Sequence, residues 1–247
     1  DVAAWLRLTV PYGFWVALAL CFVVLISGHY RYKHPQVNVV PIAFDKACDF
    51  AKPLTVVAVS DVHLGEGTGR EDLARYVDLI NAQSPDVIVI AGDLIDNSVH
   101  PLYRDRMADE LARLTAPQGI FMVPGNHEYI SGIDAVARFI EGTPITLLRD
   151  SMVTLPCGIQ LIGRDDKSNP ARASLNTLMA HADKDHPTLV LDHQPYGVAE
   201  ADALGVDLLF CGHTHRGQVW PLTWLTDKLF EQSHGYRRWS QAHIYVS

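Results

Sequence analysis

The chain has 247 residues, room for one or two domains, and its 48% apolar and 19% charged content is that of a globular protein with an ordinary core. Its formal net charge of −8, from 28 acidic and 20 basic residues, excludes the basic stripe that binding to a nucleic-acid backbone requires. Cys21, Cys48, Cys157 and Cys211 are scattered without a Cys-x-x-Cys pair, which excludes a zinc knuckle, a thioredoxin-like motif and a disulfide framework; they read as reduced structural thiols.

From Leu8 to Gly28 no charged residue interrupts a run that carries Trp15, Val16, Leu18, Leu20 and Phe22 to Ile26. About 20 such residues span a bilayer as a helix. Tyr12, Trp15, His29, Tyr30 and Tyr32 lie near the ends of the run, where interfacial aromatics belong. A buried core helix and a signal-peptide core are the alternatives, and no small-residue cleavage site follows the run. Arg7 precedes the span while Arg31 and Lys33 follow it, a slight positive-inside bias for a cytoplasmic C-terminal domain that is too small to decide orientation. Residues 1–33 thus read as an N-terminal segment with a transmembrane helix over about 8–28, and residues 34–53, with Pro35, Pro41 and Pro53, as a juxtamembrane linker. The chain opens on Asp1 rather than methionine, and it closes on Tyr245-Val246-Ser247 inside an apolar run, so both ends are expected to be truncated.

From Leu54 onward, apolar strands alternate with helical patterns. Leu54 to Ser60 reads as a strand ending in Asp61-Val62-His63, followed by a glycine-rich loop (Gly65, Gly67, Gly69) and a helix over Glu71 to Ala82. Asp86 to Ala91 is a β-branched run of the fully buried kind, stopped by Gly92 and Asp93. A helix is expected around Leu102 to Leu114, a strand over Gly119 to Val123 ending in Asn126-His127-Glu128, and a short helix over Ile133 to Ile140. Between Ile145 and Gly163 the pattern shifts to short strands with turn signals, as in antiparallel pairing. A helix near Leu175 to Ala182, the strand Thr188 to Leu191 before Asp192-His193, a helix over Val198 to Leu204, and the strand Val206 to Phe210 before Gly212-His213-Thr214-His215 follow.

Five apolar strands therefore end in Asp, Asn or His: Asp61/His63, Asp93, Asn126/His127, His193 and His213/His215. Strand ends on one edge of an open α/β sheet converge, which is where such folds place ligands. Taken alone, Asp93 is a turn aspartate; in company with the other four ends it is a metal ligand. Imidazole, carboxylate and amide oxygen without thiolate suit Zn, Mn or Fe. Seven such groups are too many for one tetrahedral ion and match two divalent ions about 3.5–4 Å apart sharing a carboxylate. Such a pair lowers the pKa of a bridging water and holds two oxygens of a phosphate for in-line attack.

The ordered blocks Asp61-Val62-His63, Gly92-Asp93-Leu94-Ile95-Asp96, Gly125-Asn126-His127-Glu128, His193 and Gly212-His213-Thr214-His215 resemble the calcineurin-like metallophosphoesterases, from about Leu54 to the end. With the N-terminal span and His215-Arg216-Gly217-Gln218-Val219-Trp220-Pro221, the pattern is similar to the bacterial membrane-anchored YkuE-like branch, which more often carries glycine where Arg216 stands. The resemblance implies a four-layer α/β/β/α sandwich over residues 54–247, usually continued by further strands. It implies that Asp61, His63 and His215 bind one metal, that Asn126, His193 and His213 bind the second, and that Asp93 bridges them. His127 would contact the phosphate and protonate the leaving oxygen as general acid. Asp96 would either orient His127 or a ligand histidine, or cap a helix.

Three features carry two readings each. Arg216 grips a phosphate oxygen or makes a surface ion pair, and Arg164 does the same or belongs to a plain turn at Arg164-Asp165-Asp166. The apolar stretch from Trp220 to Phe230 either packs over the sheet edge or forms an interfacial helix that admits a lipid-like substrate. The expected function is a membrane-anchored hydrolase of phosphodiester or pyrophosphate bonds in a lipid- or nucleotide-linked substrate. A phosphomonoesterase on soluble or protein substrates and a non-catalytic scaffold of the same fold are the rivals.

Overall fold

The computed structural model describes residues 2–46, 53–218 and 220–247, and side chains from Tyr12 onward. Cys48 and the linker positions 47–52 lie outside the described residues. The chain divides into two compact units, Asp1–Pro41 and Ile42–Ser247.

The first unit is one helix, α1 (Val2–Lys33), followed by chain without regular structure. Within it Tyr12–Lys33, 22 residues with none buried, is long and apolar enough to cross a membrane. At 1.5 Å per residue such a helix is about 33 Å long, matched to a hydrocarbon layer of about 30 Å.

In the second unit four parallel strands, β1 (Val56–Val59), β2 (Val87–Ala91), β3 (Ile120–Val123) and β4 (Ile145–Leu147), make one sheet in the order β1-β2-β3-β4. The other sheet runs β5 (Ser151–Thr154), β6 (Gln160–Gly163), β7 (Thr188–Leu191), β8 (Leu208–Cys211), β10 (His243–Val246), β9 (Gly235–Arg238). Its four inner strands are parallel and its two edges antiparallel. The helices are α2 (Arg70–Ala82), α3 (His100–Arg104), α4 (Met107–Leu111), α5 (Asn126–Ile130), α6 (Ile133–Glu141), α7 (Leu175–Met179), α8 (Val198–Ala203) and α9 (Leu222–Leu229).

Strand alternation explains the layering. Successive side chains leave a strand on opposite faces, so Ile88 and Ile90 of β2 join a core with Leu73, Val77, Leu111 and Phe139 of the helices. Val87, Val89 and Ala91 join a second core against Leu161, Leu189, Leu191 and Phe210 of the other sheet. In that sheet Ile162, Val190 and Leu209 turn the other way, onto Leu175, Leu178, Val198 and Ala201 of α7 and α8. Three cores between four layers give the α/β/β/α sandwich. β2 is buried on both faces, at about 1.5–3 kcal/mol per large aliphatic side chain, which fixes where Gly92 and Asp93 emerge.

Three elements differ from the sequence reading. The helix expected around Leu102 to Leu114 is two short helices, because Arg106 between them takes a left-handed conformation (φ 51°, ψ 45°). Asn126–Ile130, which the sequence marks only as the block that ends a strand, is a helix, and Gly235–Arg238, to which the sequence assigns no element, is an edge strand. The compact unit also begins before Leu54: Phe44 packs into the core between the sheets, and Lys46 pairs with Asp207 at 2.6 Å.

Candidate metal centre

The carboxyl ends of β1, β2, β3, β7 and β8 meet at one edge, and a cavity of about 470 Å³ opens there. His63, Asp93, Asp96, Asn126, His127, His213, His215 and Gln218 line it. Three groups of ligand-type atoms each fall within 4.8 Å of one another: Asp61/His63/His215, His63/Asp93/His127 and Asp93/His193/His213. Asp93 belongs to two of them, with Oδ2 at 3.1 Å from His193 Nε2 and 4.0 Å from His63 Nε2. His63 Nε2 and His215 Nε2 are 3.4 Å apart, His215 Nε2 is 3.5 Å from Asp61 Oδ1, and Asn126 Oδ1 is 3.2 Å from His193 Nε2.

Such crowding has a backbone cause. Asp61, His63, Asp93, His213 and His215 all have positive φ, between 46° and 73°. Non-glycine residues rarely sit there, at a cost of about 1–3 kcal/mol each, and such strain collects where a site over-determines it. Neighbouring glycines make room: a Cβ on Gly92, itself at φ 79°, would lie 2.7 Å from both Gly125 N and His193 Nδ1, and one on Gly125 would strike the Asp93 carboxylate.

Hydrogen bonds then orient the rings. His193 Nδ1 lies 2.8 Å from Ala91 O, and His127 Nδ1 lies 2.7 Å from Asp96 O. A carbonyl only accepts, so in both rings Nδ1–H donates and Nε2 is left for the site, beside Asp93 and Asn126 in His193, the arrangement by which a protein presents an imidazole to a metal or a substrate. Burial lowers the pKa of His63 and of His213, favouring the neutral ring that a cation needs. Burial also acts to lower His193, but the hydrogen bond and charge of Asp93 outweigh it and hold the ring up to about 9. A cation bound at His193 would therefore displace a proton.

Glu128, fully buried, accepts from the main-chain N–H of Asp93 at 2.8 Å, Ile95 at 3.0 Å and Gly125 at 2.6 Å. It ties the loop after β2 to the loop after β3. Burial, then the charge of Asp93, push its carboxyl up to about 7 against those three bonds. The sequence reading quoted Glu128 inside a block without giving it a task; its direct succession to Asn126-His127 was the available signal. Gln218, which completes the cavity wall, was likewise quoted without a role.

Asp96 lies beside the site rather than on a helix cap, since α3 follows Val99. Its Oδ1 is 3.3 Å from His127 Nδ1 and 3.5 Å from His63 Nδ1. Arg164 is 8% exposed and does not line the cavity: it bonds Asp192 Oδ2 at 2.7 Å and Ala173 O at 3.3 Å, and Arg172 pairs with the same carboxylate. That pairing seats it under the β7 end which carries His193. Arg216, on the 3-10 turn His215–Gly217, is exposed, outside the cavity lining, and without an ion pair among the described residues. Of the stretch Trp220 to Phe230, Phe230 packs against Tyr196 and His213, while Trp220 is 84% and Trp224 60% exposed.

The family model described as calcineurin-like phosphoesterase matches residues 54–217. The chain belongs to this family. As a calcineurin-like phosphoesterase it is similar to an uncharacterized metallophosphoesterase of Helicobacter pylori, 31% identical over 95% of this chain and 63% of the relative. The chain thus spans less than two thirds of that relative's length. The Bacillus subtilis metallophosphoesterase YkuE is 28% identical over 78% of this chain and 70% of its own. A Danio rerio transmembrane protein with a metallophosphoesterase domain is 30% identical over 76% of this chain and 46% of its own. Among solved structures, GAP50, described as the anchor in the inner membrane complex of Plasmodium, shares the fold with a TM-score of 0.52 at 12% identity, over 78% of this chain and 70% of its own. The calcineurin-like phosphoesterase fold follows from this membership.

Proposed function

We propose that the chain is a membrane-anchored phosphodiesterase using two divalent cations, acting on a phosphodiester or pyrophosphate bond in a lipid- or nucleotide-linked substrate. One observation carries the reading: ligand-type residues from five strand ends converge, four of those ends lining one cavity and buried His193 from the fifth standing against Asp93, which is common to two of the groups. The donor set fits hard or borderline cations, with carboxylate, imidazole and amide oxygen and no thiolate. Asp61, His63 and His215 would hold one cation, Asn126, His193 and His213 the other, and Asp93 would touch both. When bound, the cations supply Lewis acidity, activation of water and neutralisation of phosphate charge.

The chain's own residues do the rest. His127, anchored through Nδ1 to Asp96 O, presents Nε2 to the leaving oxygen and delivers a proton there. Asp96, near both rings, keeps His127 and His63 in register. Glu128 holds the two loops together. Preference for a diester rests on charge: among the described residues no Lys or Arg lines the cavity, so the site lacks the side-chain cations that a monoester dianion would draw on. Residues 42–247 would form the catalytic domain, residues 34–41 the linker and residues 1–33 the anchor. The likeness to a transmembrane relative and the length of α1 support the anchor.

The test is turnover of bis-p-nitrophenyl phosphate against p-nitrophenyl phosphate by the Mn²⁺-loaded chain. The diester is expected to turn over faster; hydrolysis of the monoester alone would return the reading to a phosphomonoesterase, and hydrolysis of neither to a scaffold.

A further inference from the structure

A surface helix of a soluble domain turns its apolar side chains inward. α9 does the reverse. Leu222, Trp224, Leu225 and Leu229 are all 46% or more exposed, with Trp220 just before them, and no residue of the helix is buried. Thr223 and Thr226 are half-buried, Thr226 Oγ1 donates to Thr223 O at 2.9 Å within the helix, and the exposed Asp227 carboxylate accepts from the Ser233 hydroxyl.

The charge around this face differs from that of the chain. Between Arg216 and Trp239 stand Arg216, Lys228, Arg237 and Arg238 against Asp227 and Glu231, an excess of two positive charges in a chain of net −8. Both acids are exposed and each accepts one hydrogen bond from a neutral donor, Asp227 from Ser233 and Glu231 from the main-chain N–H of Ala199 at 2.8 Å. Arg216, Lys228 and Arg237 have no ion pair among the described residues and are exposed. Lys228 lies over the Trp224 ring at 3.6 Å and Arg237 over Trp239 at 5.8 Å. Trp and Leu outward with cations beside them is the composition of a helix lying in a membrane interface, where indole sits at headgroup depth and cations meet anionic lipid.

We infer that α9 with Trp220 docks on the surface of an anionic lipid bilayer. Three things select that occupant: the excess of unpaired cations, the Trp-rich outward face, and a membrane-length helix in the same chain. Both ends of α9 border the metal cavity. The helix packs on the His215–Gly217 turn beside Gln218, and Phe230 at its other end stacks edge-on to His213 at 6.3 Å. Docking would set the cavity at the headgroup layer, so that a phosphate ester borne by a lipid reaches it without leaving the bilayer. That consequence rests on the proposed phosphodiesterase reading; the docking itself does not.

The test uses the full chain reconstituted in phosphatidylcholine vesicles with and without 30% phosphatidylglycerol. With Cys21→Ser and Cys48→Ser in place, one nitroxide is attached at Leu225→Cys and, in a control, at the exposed Lys184→Cys. Oxygen, concentrated in lipid, and a water-soluble nickel chelate then report the surroundings of each label by electron paramagnetic resonance. Position 225 is expected to favour oxygen and position 184 the chelate, with 225 moving deeper when the anionic lipid is present. Equal accessibility at the two positions overturns the docking. Low accessibility of position 225 to both reagents also overturns it, and assigns the face to a protein cover. Depth unaffected by phosphatidylglycerol overturns the anionic-surface part. In a second measurement Trp220→Ser/Trp224→Ser/Leu225→Ser should keep its rate on bis-p-nitrophenyl phosphate within about twofold and lose about tenfold on a vesicle-borne phosphodiester. Loss of soluble-diester turnover in the parent chain would sink the phosphodiesterase reading and leave the nitroxide result standing.

Discussion

Asp93 is 2% exposed, and its two oxygens have separate partners. Oδ1 accepts from the His127 main-chain N–H at 2.9 Å, while Oδ2 faces His193. Asn can keep the first contact and lacks the charge for the second. Asp93→Asn is therefore expected to abolish most turnover and to lower metal content at both positions. Replacement of a peripheral ligand, as in His215→Ala, should cost metal chiefly at one. His127→Ala should keep the metal and slow turnover by about 10²-fold or more. Metal analysis beside initial rates separates the three variants. An Asp93→Asn chain that retains two ions and the parent rate would remove Asp93 from the centre of the assignment.

At the scale of elements, the segment from Arg164 to Asn169 shows how buried polar groups hold a loop. Asp165, 2% exposed, accepts from Tyr129 Oη at 2.6 Å, Arg149 Nε at 3.0 Å and Asn169 Nδ2 at 2.9 Å, so it links α5 to the loop after β6. Burial alone would raise its carboxyl, but those bonds outweigh burial and hold it below the usual carboxylate range. A depressed carboxyl contributes stability that is present above its unfolded pKa and lost as pH falls through the folded value. Asp165→Asn is expected to cost about 2–3 kcal/mol at pH 7, the scale of losing charge-assisted bonds at a buried site. The gap between parent and variant should close as pH drops below the ordinary value of 3.8. Urea melts of both metal-free chains at pH 7 and pH 2 decide it: an equal gap at the two pH values would mean the carboxylate charge is not what stabilises the loop.

The same segment marks what could be read from the chain in advance. The strand ends were legible because an apolar β-branched run and the ligand behind it lie within a few residues, as in Val87 to Asp93. Arg164 was not legible, because the partner that buries it, Asp192, is 28 positions away. The break between α3 and α4 was hidden too, since Arg106 takes its left-handed turn without a glycine or proline to mark it. In β9, Tyr236-Arg237-Arg238 reads as polar loop because its pairing with β10 leaves these side chains exposed. The exposed apolar face of α9 departs from the rule by which apolar residues are assigned to a core, so packing beside the sheet edge holds at Phe230 and not at Trp220, Leu222, Trp224, Leu225 or Leu229.

Over the whole molecule the candidate centre is the seam between two sheets. Asp61, Asp93 and Asn126 leave the first sheet; His193, His213 and His215 leave the second. Cations held by both sets would clamp the carboxyl edge of the sandwich, while the three apolar cores hold the layers independently of any ion. Chelation should therefore lower stability without unfolding the domain at room temperature. A ligand present at about 100 times its Kd stabilises the folded state by about 2.7 kcal/mol. For a domain of this size that is a Tm shift of about 5–10 °C. Hydrogen exchange should localise the loosening to the loops after β1, β2, β3, β7 and β8 and leave β2 itself protected, because its amides lie between two paired neighbours. Excess Mn²⁺ should restore both readings. An unchanged Tm in chelator, with unchanged exchange in those loops, would mean that the seam holds no ion in solution.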